Sequence, residues 1–151
     1  MNQDIIKRAG DLINSRANYI AGDGAEAGMY GYVVLSLIDE NGYPTAAAIT
    51  IARADGINWL TFVTLPDSNK AQRIARCKRA SVCLASSAYN VTLVGTIEIV
   101  DDIEVKKDSW FALMAHMWSG PEDPAFCLLR FRTERYNLFF ADDESVAAGK
   151  L

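Results

Sequence analysis

Short β-branched and aromatic segments, separated by turn signals, follow one another along the chain from Tyr30 onwards. YGYVVLSLI, TAAAITIAR and INWLTFVT are separated by DENGYP and ADG, both of which are typical of turns. ASVCLASS and NVTLVGTIEIV continue the pattern, and AFCLLRFRTERYNLFF is either two closing strands or one bent strand. Many short strands with few helices favour a mainly β fold, a small barrel with helices packed outside it.

Three other segments have helical periodicity. Apolar residues recur at three- and four-residue spacing near the N-terminus, which predicts an amphipathic helix over residues 3–20. Good helix formers predict a helix over residues 68–78, and the apolar spacing from Ile103 to Trp118 predicts a second long helix. The sequence contains no internal repeat or linker. We therefore expect residues 1–151 to form a single domain, with the barrel at about residues 30–140.

Composition and charge exclude several classes of function. The chain has 151 residues and a formal net charge of −4, which argues against nonspecific nucleic-acid binding because that usually requires a basic surface. The uncharged stretch from Ala80 to Ile97 alternates between apolar and polar residues as strands do, so we expect no membrane span.

The three cysteines lack CxxC spacing, and the N-terminus lacks the apolar core of a signal peptide. We therefore expect a cytoplasmic protein with reduced thiols.

A turn followed by a helix start, TLPDSNKAQRI, is the strongest candidate for a binding site. Ser68 is placed to cap the helix, Asn69 offers amide donors, and Lys70 brings a positive charge to the first turn. Such a cation opposes the helix dipole by roughly 0.3–1 kcal/mol unless an anion lies beside it. Because the N–H groups of a helix N-terminus bind phosphate, we expect a phosphate group here. The alternative is a simple serine cap beside a solvated basic face.

Several motifs, in order, resemble those of the pyridoxamine 5'-phosphate oxidase-like flavin split barrels, and especially the general stress protein 26 type. They are Gly42 with Pro44, Asp55-Gly56, the aromatic strand from Trp59 to Thr64, Ser68 with Lys70, Gly95, and GPEDP at Gly120 to Pro124. The resemblance covers roughly residues 30–140. It implies an FMN-binding split barrel, a six-stranded antiparallel barrel of Greek-key-like topology.

The resemblance further implies a homodimer with FMN at the subunit interface. Asn69 stands where the parent oxidases have an arginine, a cation that Arg73 or Arg53 would replace. By position, the implied cofactor-binding residues within one subunit are Ala48, Ile49, Thr50, Ile51, Val63, Thr64, Ser68, Asn69 and Lys70. Those that would reach the flavin from the other subunit are Asn90 or Val91, with Trp110 or Trp118 as further candidates.

The implied function is that of a flavin-dependent oxidoreductase or flavin reductase, with a small-molecule substrate or an electron donor such as NAD(P)H and with unknown catalytic residues. Pyridoxamine 5'-phosphate oxidase activity itself is not expected. After Arg135 the only cation is Lys150, and we expect Asp142, Asp143 and Glu144 to repel a second phosphate.

Two alternatives use the same fold. One is a non-catalytic flavin carrier or a stress-linked flavin sensor. The other is a haem or deazaflavin binder, in which His116 would be an axial ligand rather than a partly buried structural residue. His116 is the only histidine, so a multi-histidine metal site within one chain is excluded, and we expect no metal. Cys77 lies between basic residues and is either a small buried hydrophobe or a redox-active thiol.

Overall fold

The computed structural model describes residues 2–17 and 32–151, without the side chains of Ala112 and Leu113. Its elements in chain order are α1 (Asn2–Arg16), β1 (Tyr32–Ile38), β2 (Pro44–Asp55), β3 (Trp59–Thr64), α2 (Asn69–Arg76), β4 (Arg79–Ala85), β5 (Tyr89–Val100), α3 (Ile103–Ser109), a short 3-10 helix (Ala112–His116), β6 (Cys127–Phe140) and β7 (Ser145–Lys150).

The strands form one antiparallel sheet in the order β3-β2-β1-β4-β5-β6-β7, and an additional pairing of β3 with β6 closes it. Two hairpins join β1, β2 and β3, and β4 then returns to lie beside β1, which is a Greek-key arrangement. The first six strands therefore form a closed barrel, and β7 extends the sheet beyond β6. The predicted mainly β, six-stranded barrel is confirmed.

Strand alternation separates the interior of the barrel from its surface. On β1, Val33, Leu35 and Leu37 are buried, whereas Tyr32 and Val34 are exposed. The same two-residue period continues around the barrel because successive side chains of a strand point to opposite faces. The large side chains that are fully buried include Phe62, Phe131, Leu60, Leu93, Leu129 and Leu138.

The helices differ in part from the sequence-based expectations. α1 ends at Arg16, and the remainder of the predicted helix over residues 3–20 lies largely outside the described residues. The predicted long helix from Ile103 to Trp118 is broken, since α3 ends at Ser109 and both Trp110 and Phe111 are extended. No helix in the described part of the chain is long and apolar enough to cross a membrane.

The C-terminal region contains one long strand and a further one that the sequence pattern does not predict. β6 is continuous over 14 residues, which decides between the two expected arrangements in favour of a single strand. β7 pairs with β6 from Arg135 opposite Lys150 to Phe140 opposite Ser145. Asp142 and Asp143 in the connecting turn form ion pairs with Arg8 of α1, at 2.6 and 3.2 Å.

A bulge between β5 and β6 depends on Gly95. The strand register shifts between Val94 and Gly95, and the backbone of β6 closely approaches the glycine there. A Cβ atom on Gly95 would lie 1.9 Å from the carbonyl oxygen of Arg132 and 3.1 Å from the backbone nitrogen of Glu134. Only glycine fits at this position, because a backbone carbonyl cannot move aside as a flexible side chain can.

We predict that Gly95→Ala destabilises the protein by about 2–3 kcal/mol, the upper part of the usual range for overpacking in a dense structure. The melting temperature should fall by roughly 5–10 °C for a chain of this size. Gly120→Ala is the matched control, because a Cβ there meets no heavy atom within 4 Å. Equal melting temperatures for the two variants, measured by circular dichroism, would contradict the close approach at Gly95.

Candidate functional site

An apolar pocket of about 400 Å³ lies between β2 and the chain segment of residues 110–118, which we call the wall segment. The strands β1, β2 and β3 form one side of this pocket, and the wall segment forms the other. The lining residues are all uncharged and are Tyr32, Ala48, Ile49, Thr50, Ile51, Ala52, Val63, Phe111, Met114, Met117 and Trp118.

β2 contributes residues of both its faces to the border of this pocket. Ala48 is exposed and Thr50 is half-buried, and both lie on the outer face of the strand. Ile49 and Ile51 are only 8% and 2% exposed and belong to the barrel core. A register shift against β3 after Ile51 places Ala52 in an apolar cluster outside the barrel. The isoleucines therefore serve the core while bordering the pocket.

The wall segment packs against the barrel through that outer cluster, whose buried members are Ala52, Phe111, Met114, Trp118 and Phe126. The indole N–H of Trp118 donates to the carbonyl oxygen of Ala125 at 2.8 Å, and its ring meets that of Phe126 edge-on at 5.5 Å. Trp118 thus lines the pocket of its own chain, whereas the resemblance suggested it as a residue that reaches the flavin from the other subunit.

Two polar contacts attach the start of the wall segment to the barrel. The guanidinium group of Arg53 donates to the carbonyl oxygens of Asp108 and Trp110, at 2.9 and 3.3 Å. The hydroxyl groups of Thr61 and Ser109 are buried and lie 3.0 Å apart in a hydrogen bond. These contacts hold the chain at the end of α3 and are the physical reason why the predicted helix does not continue.

The expected phosphate position lies directly beyond the end of β3. Ser68 caps α2, and its Oγ accepts hydrogen bonds from the N–H of Ala71 at 3.2 Å and from the hydroxyl of Thr64 at 2.9 Å. A hydroxyl group has two acceptor sites and one hydrogen to donate. Since both acceptor sites of Ser68 are used, its hydrogen is left to donate to an anion. Val63 lines the pocket, and the next residue, Thr64, therefore connects the pocket lining to a hydroxyl group that can still donate a hydrogen bond.

The basic residues of α2 reinforce this site. The N–H groups of Asn69 and Lys70 lie in the first turn, where no intrahelical acceptor exists, and no acidic residue occurs in that turn. Asn69 is exposed and Lys70 is half-buried. Arg73 donates to the hydroxyl group of Thr45 at 3.1 Å. Among the described residues, neither Lys70 nor Arg73 forms an ion pair.

The other expected contacts lie away from the pocket of their own chain. Asn90 is half-buried on the outer face of β5 and donates to the hydroxyl of Thr92 at 3.2 Å. Val91 is 1% exposed and lies in the barrel core, so its side chain is not on a surface that a partner can reach. Trp110 packs against Phe126 at 5.2 Å and does not line the pocket.

His116 and the cysteines have ordinary environments. His116 is exposed at the end of the 3-10 helix, not partly buried as expected. Cys77 is half-buried at the C-terminal cap of α2. Burial raises the pKa of the Cys127 thiol, which makes it a poor nucleophile at neutral pH. In the part of the chain that is described, no group of His, Cys, Asp and Glu could hold a metal ion.

Sequence reasoning missed several residues of the pocket, namely Tyr32, Ala52, Phe111, Met114 and Met117. A signal exists in the spacing of Phe111, Met114 and Trp118, three and then four residues apart. That spacing favours one face of a continuous helix, and the pattern does not reveal that the chain breaks after α3. Ala52 faces outward only because of the register shift in β2, for which the sequence offers no marker.

Comparison with known proteins supports the assignment of the fold. A protein from Clostridium acetobutylicum related to general stress protein 26 of Bacillus subtilis aligns with 19% identity over 100% of this chain and 97% of its own, with a TM-score of 0.77. A pyridoxamine 5'-phosphate oxidase-related, FMN-binding protein from Nostoc punctiforme aligns with 17% identity over 99% and 93% of the two chains, with a TM-score of 0.59.

A heme-binding protein from Mycobacterium smegmatis aligns with 16% identity over 80% of this chain and 52% of its own, with a TM-score of 0.63. At such identities the similarity concerns the fold. No protein of curated function matches the sequence. The sequence pattern of the pyridoxamine 5'-phosphate oxidase family matches residues 30–140. Because this match covers well over half of the sequence, the chain belongs to that family.

Proposed function

We propose that this protein binds FMN and acts as a flavin-dependent oxidoreductase or flavin reductase. The isoalloxazine ring would lie in the pocket under the wall segment, and the phosphate would lie at the N-terminus of α2. The observation that carries the proposal is the continuity of the two sites through β3. Val63 lines the apolar pocket, and the next residue, Thr64, donates a hydrogen bond to the capping hydroxyl of Ser68.

The pocket fits a flat, largely apolar ring. Its volume of about 400 Å³ is within the range of roughly 300–1,000 Å³ that is usual for small-molecule sites. Thr50 offers a hydroxyl group beside otherwise apolar side chains, and Phe111 and Trp118 offer aromatic surface. Bound FMN would supply the capacity to accept and deliver electrons. The residues of this chain would hold the ring, orient it and keep water from one of its sides.

The phosphate position favours FMN over a haem, which the apolar pocket alone would also admit. A phosphate would accept from the hydroxyl of Ser68 and from the free N–H groups of the first turn, and it would offset the charge of Lys70. Arg73 replaces the missing cation better than Arg53 does, because Arg53 is engaged with the carbonyl oxygens at the start of the wall segment. The exposure of His116 adds no support for a haem ligand.

Pyridoxamine 5'-phosphate oxidase activity is not part of the proposal. The pocket-lining residues carry no charge, so a second phosphate held above the ring would find no cation there to offset its desolvation. The reason differs from the one that the sequence suggested. Asp142 and Asp143 do not face the pocket and instead form ion pairs with Arg8. The substrate or electron donor, such as NAD(P)H, would therefore meet an apolar surface.

A second copy of the chain would complete the site. The outer face of β1, β2, β4 and β5 has an uncharged central area, and Tyr32 and Val34 in it are 52% and 39% exposed. Cross-strand register places Val34 between Ala48 and Cys83. Tyr32 and Ala48 also line the pocket, so a partner on this face would cover its open side. Asn90 of the partner subunit would then lie on the interface, as the resemblance implies.

This proposal includes a cytoplasmic location and electron exchange with a small molecule. The three cysteines Cys77, Cys83 and Cys127 are free, which suits a reducing compartment. A non-catalytic flavin carrier would use the same pocket and the same phosphate contacts. Turnover of NADH or NADPH by the flavin-loaded protein distinguishes the enzyme from the carrier.

We predict that Lys70→Ala weakens the binding of FMN by about ten- to a hundredfold and leaves riboflavin binding almost unchanged, since a charge-assisted bond to phosphate contributes roughly 1.5–3 kcal/mol. Lys78→Ala, which removes an exposed cation beyond the end of α2, is the matched control and should bind both ligands like the wild type. Quenching of flavin fluorescence measures all the affinities. Equal losses for FMN and riboflavin, or no binding of FMN by the wild type, would exclude the proposed site.

We predict that the wild type is a dimer at micromolar concentration and that Val34→Glu makes it monomeric, because the substitution buries a charge in the proposed interface. Ile103→Glu is the control. Ile103 is also partly exposed, at 36%, but it lies in the first turn of α3, where a negative charge is favourable. Light scattering measures both masses. A dimeric Val34→Glu variant, or a monomeric wild type, would show that this face is not the interface.

A further inference from the structure

A second crevice, of about 240 Å³, lies on the outer surface of the barrel, between α3 and the strands β2, β3 and β6. Its lining includes three arginines, Arg53, Arg130 and Arg132. The ring of Trp59 and the hydrogen-bonded hydroxyl groups of Thr61 and Ser109 form other parts of its surface. None of these residues lines the apolar pocket, so the two are separate sites.

The sheet brings the arginines together from distant parts of the sequence. Thr61 of β3 lies opposite Arg53 on one side and opposite Arg130 on the other. Trp59 lies two residues before Thr61, on the same face, and opposite Arg132. Because neighbouring strands are about 4.7–4.9 Å apart, the three arginines arise from one small area of the barrel surface, and each of them lines the crevice.

Only one acidic residue, Asp108, lines this crevice together with the three arginines. Two further carboxylates lie nearby: Glu98 pairs with Arg130 at 3.0 Å, and Asp55 lies opposite Trp59 in the strand register. Among the described residues, Arg53 and Arg132 form no ion pair. Two of the three arginines that line the crevice are thus not paired with a carboxylate.

Donors remain for a ligand. A guanidinium group has five N–H donors, and Arg53 directs one to each of the carbonyl oxygens of Ala52, Asp108 and Trp110, which leaves two. Burial lowers the pKa of Arg53, and the negative charge of Asp108 opposes this shift. Arg132 is exposed at the mouth of the crevice and has no side-chain hydrogen bond within the described residues.

We propose that this crevice binds a small oxyanion, a phosphate or a carboxylate group, through Arg53, Arg130 and Arg132. Arginine suits this chemistry because its planar N–H groups pair with two oxygens of such a group at once. The volume of about 240 Å³ is below the usual range of roughly 300–1,000 Å³ for drug-sized ligands, which restricts the ligand to a small ion or metabolite. The inference does not depend on the binding of FMN.

Calorimetric titration of the wild type, at constant ionic strength, tests this inference. Inorganic phosphate and acetate are the two probes, and chloride at equal ionic strength is the reference. We expect saturable binding of at least one probe, and the stronger probe identifies the oxyanion as a phosphate or a carboxylate. Arg132→Gln should weaken that binding tenfold or more, and because Arg132 is exposed, the variant should fold normally by circular dichroism.

Phosphate can also bind at the N-terminus of α2, and Lys70→Ala separates the two sites. Binding in the crevice should keep its affinity in Lys70→Ala and be weakened tenfold or more in Arg132→Gln. A second substitution, Arg130→Gln, should reduce the affinity in the same direction as Arg132→Gln. Absence of saturable binding of both probes to the wild type, or binding that is lost in Lys70→Ala but retained in Arg132→Gln, would overturn the proposal.

Discussion

The pairing of β3 with β6 is the interaction on which the rest of this structure depends. It closes the barrel from Trp59 opposite Arg132 to Thr64 opposite Cys127. The outward-facing residues of β3 then serve the crevice, the attachment of α3 and the apolar pocket. Trp59 borders the crevice, Thr61 attaches the end of α3, and Val63 lines the apolar pocket. A barrel left open at this pairing would lose the relative positions of all three.

The proposed cofactor site combines two environments that a single short strand joins. The ring position is apolar and uncharged, whereas the phosphate position offers a hydroxyl hydrogen, free N–H groups and cations. An amphipathic ligand requires such a change of polarity over a short distance. The wall segment contributes the aromatic side of the pocket, and its attachment through Arg53 and Ser109 to the barrel fixes that side without a charge inside the pocket.

The sequence predicted the features that local chemistry determines. The hairpins, the barrel class, the cap at Ser68 and the position of Lys70 each follow from neighbouring residues, and the ordered motifs were sufficient to indicate the family. The break after Ser109 was not predictable in this way, because the contacts that hold the end of α3 come from Arg53 and Thr61, which are distant in the sequence. The apolar spacing favoured a continuous helix instead.

Other features of the site depend on strand register, which the sequence does not display. Val91 and Asn90 are neighbours with opposite orientations, and only the pairing of β5 shows that Val91 belongs to the core. The crevice requires β2, β3 and β6 to be in one particular register. Residues such as Arg130 and Arg132 had no visible partners in the sequence, because their neighbours come from strands far away along the chain.

The visible absorption spectrum of the freshly purified protein tests the central claim most directly. The account predicts the two-band spectrum of an oxidised flavin, either as purified or after addition of FMN and removal of the excess, and release of FMN as the cofactor on denaturation. A haem spectrum without flavin, or a protein that remains colourless after incubation with FMN, would contradict the account.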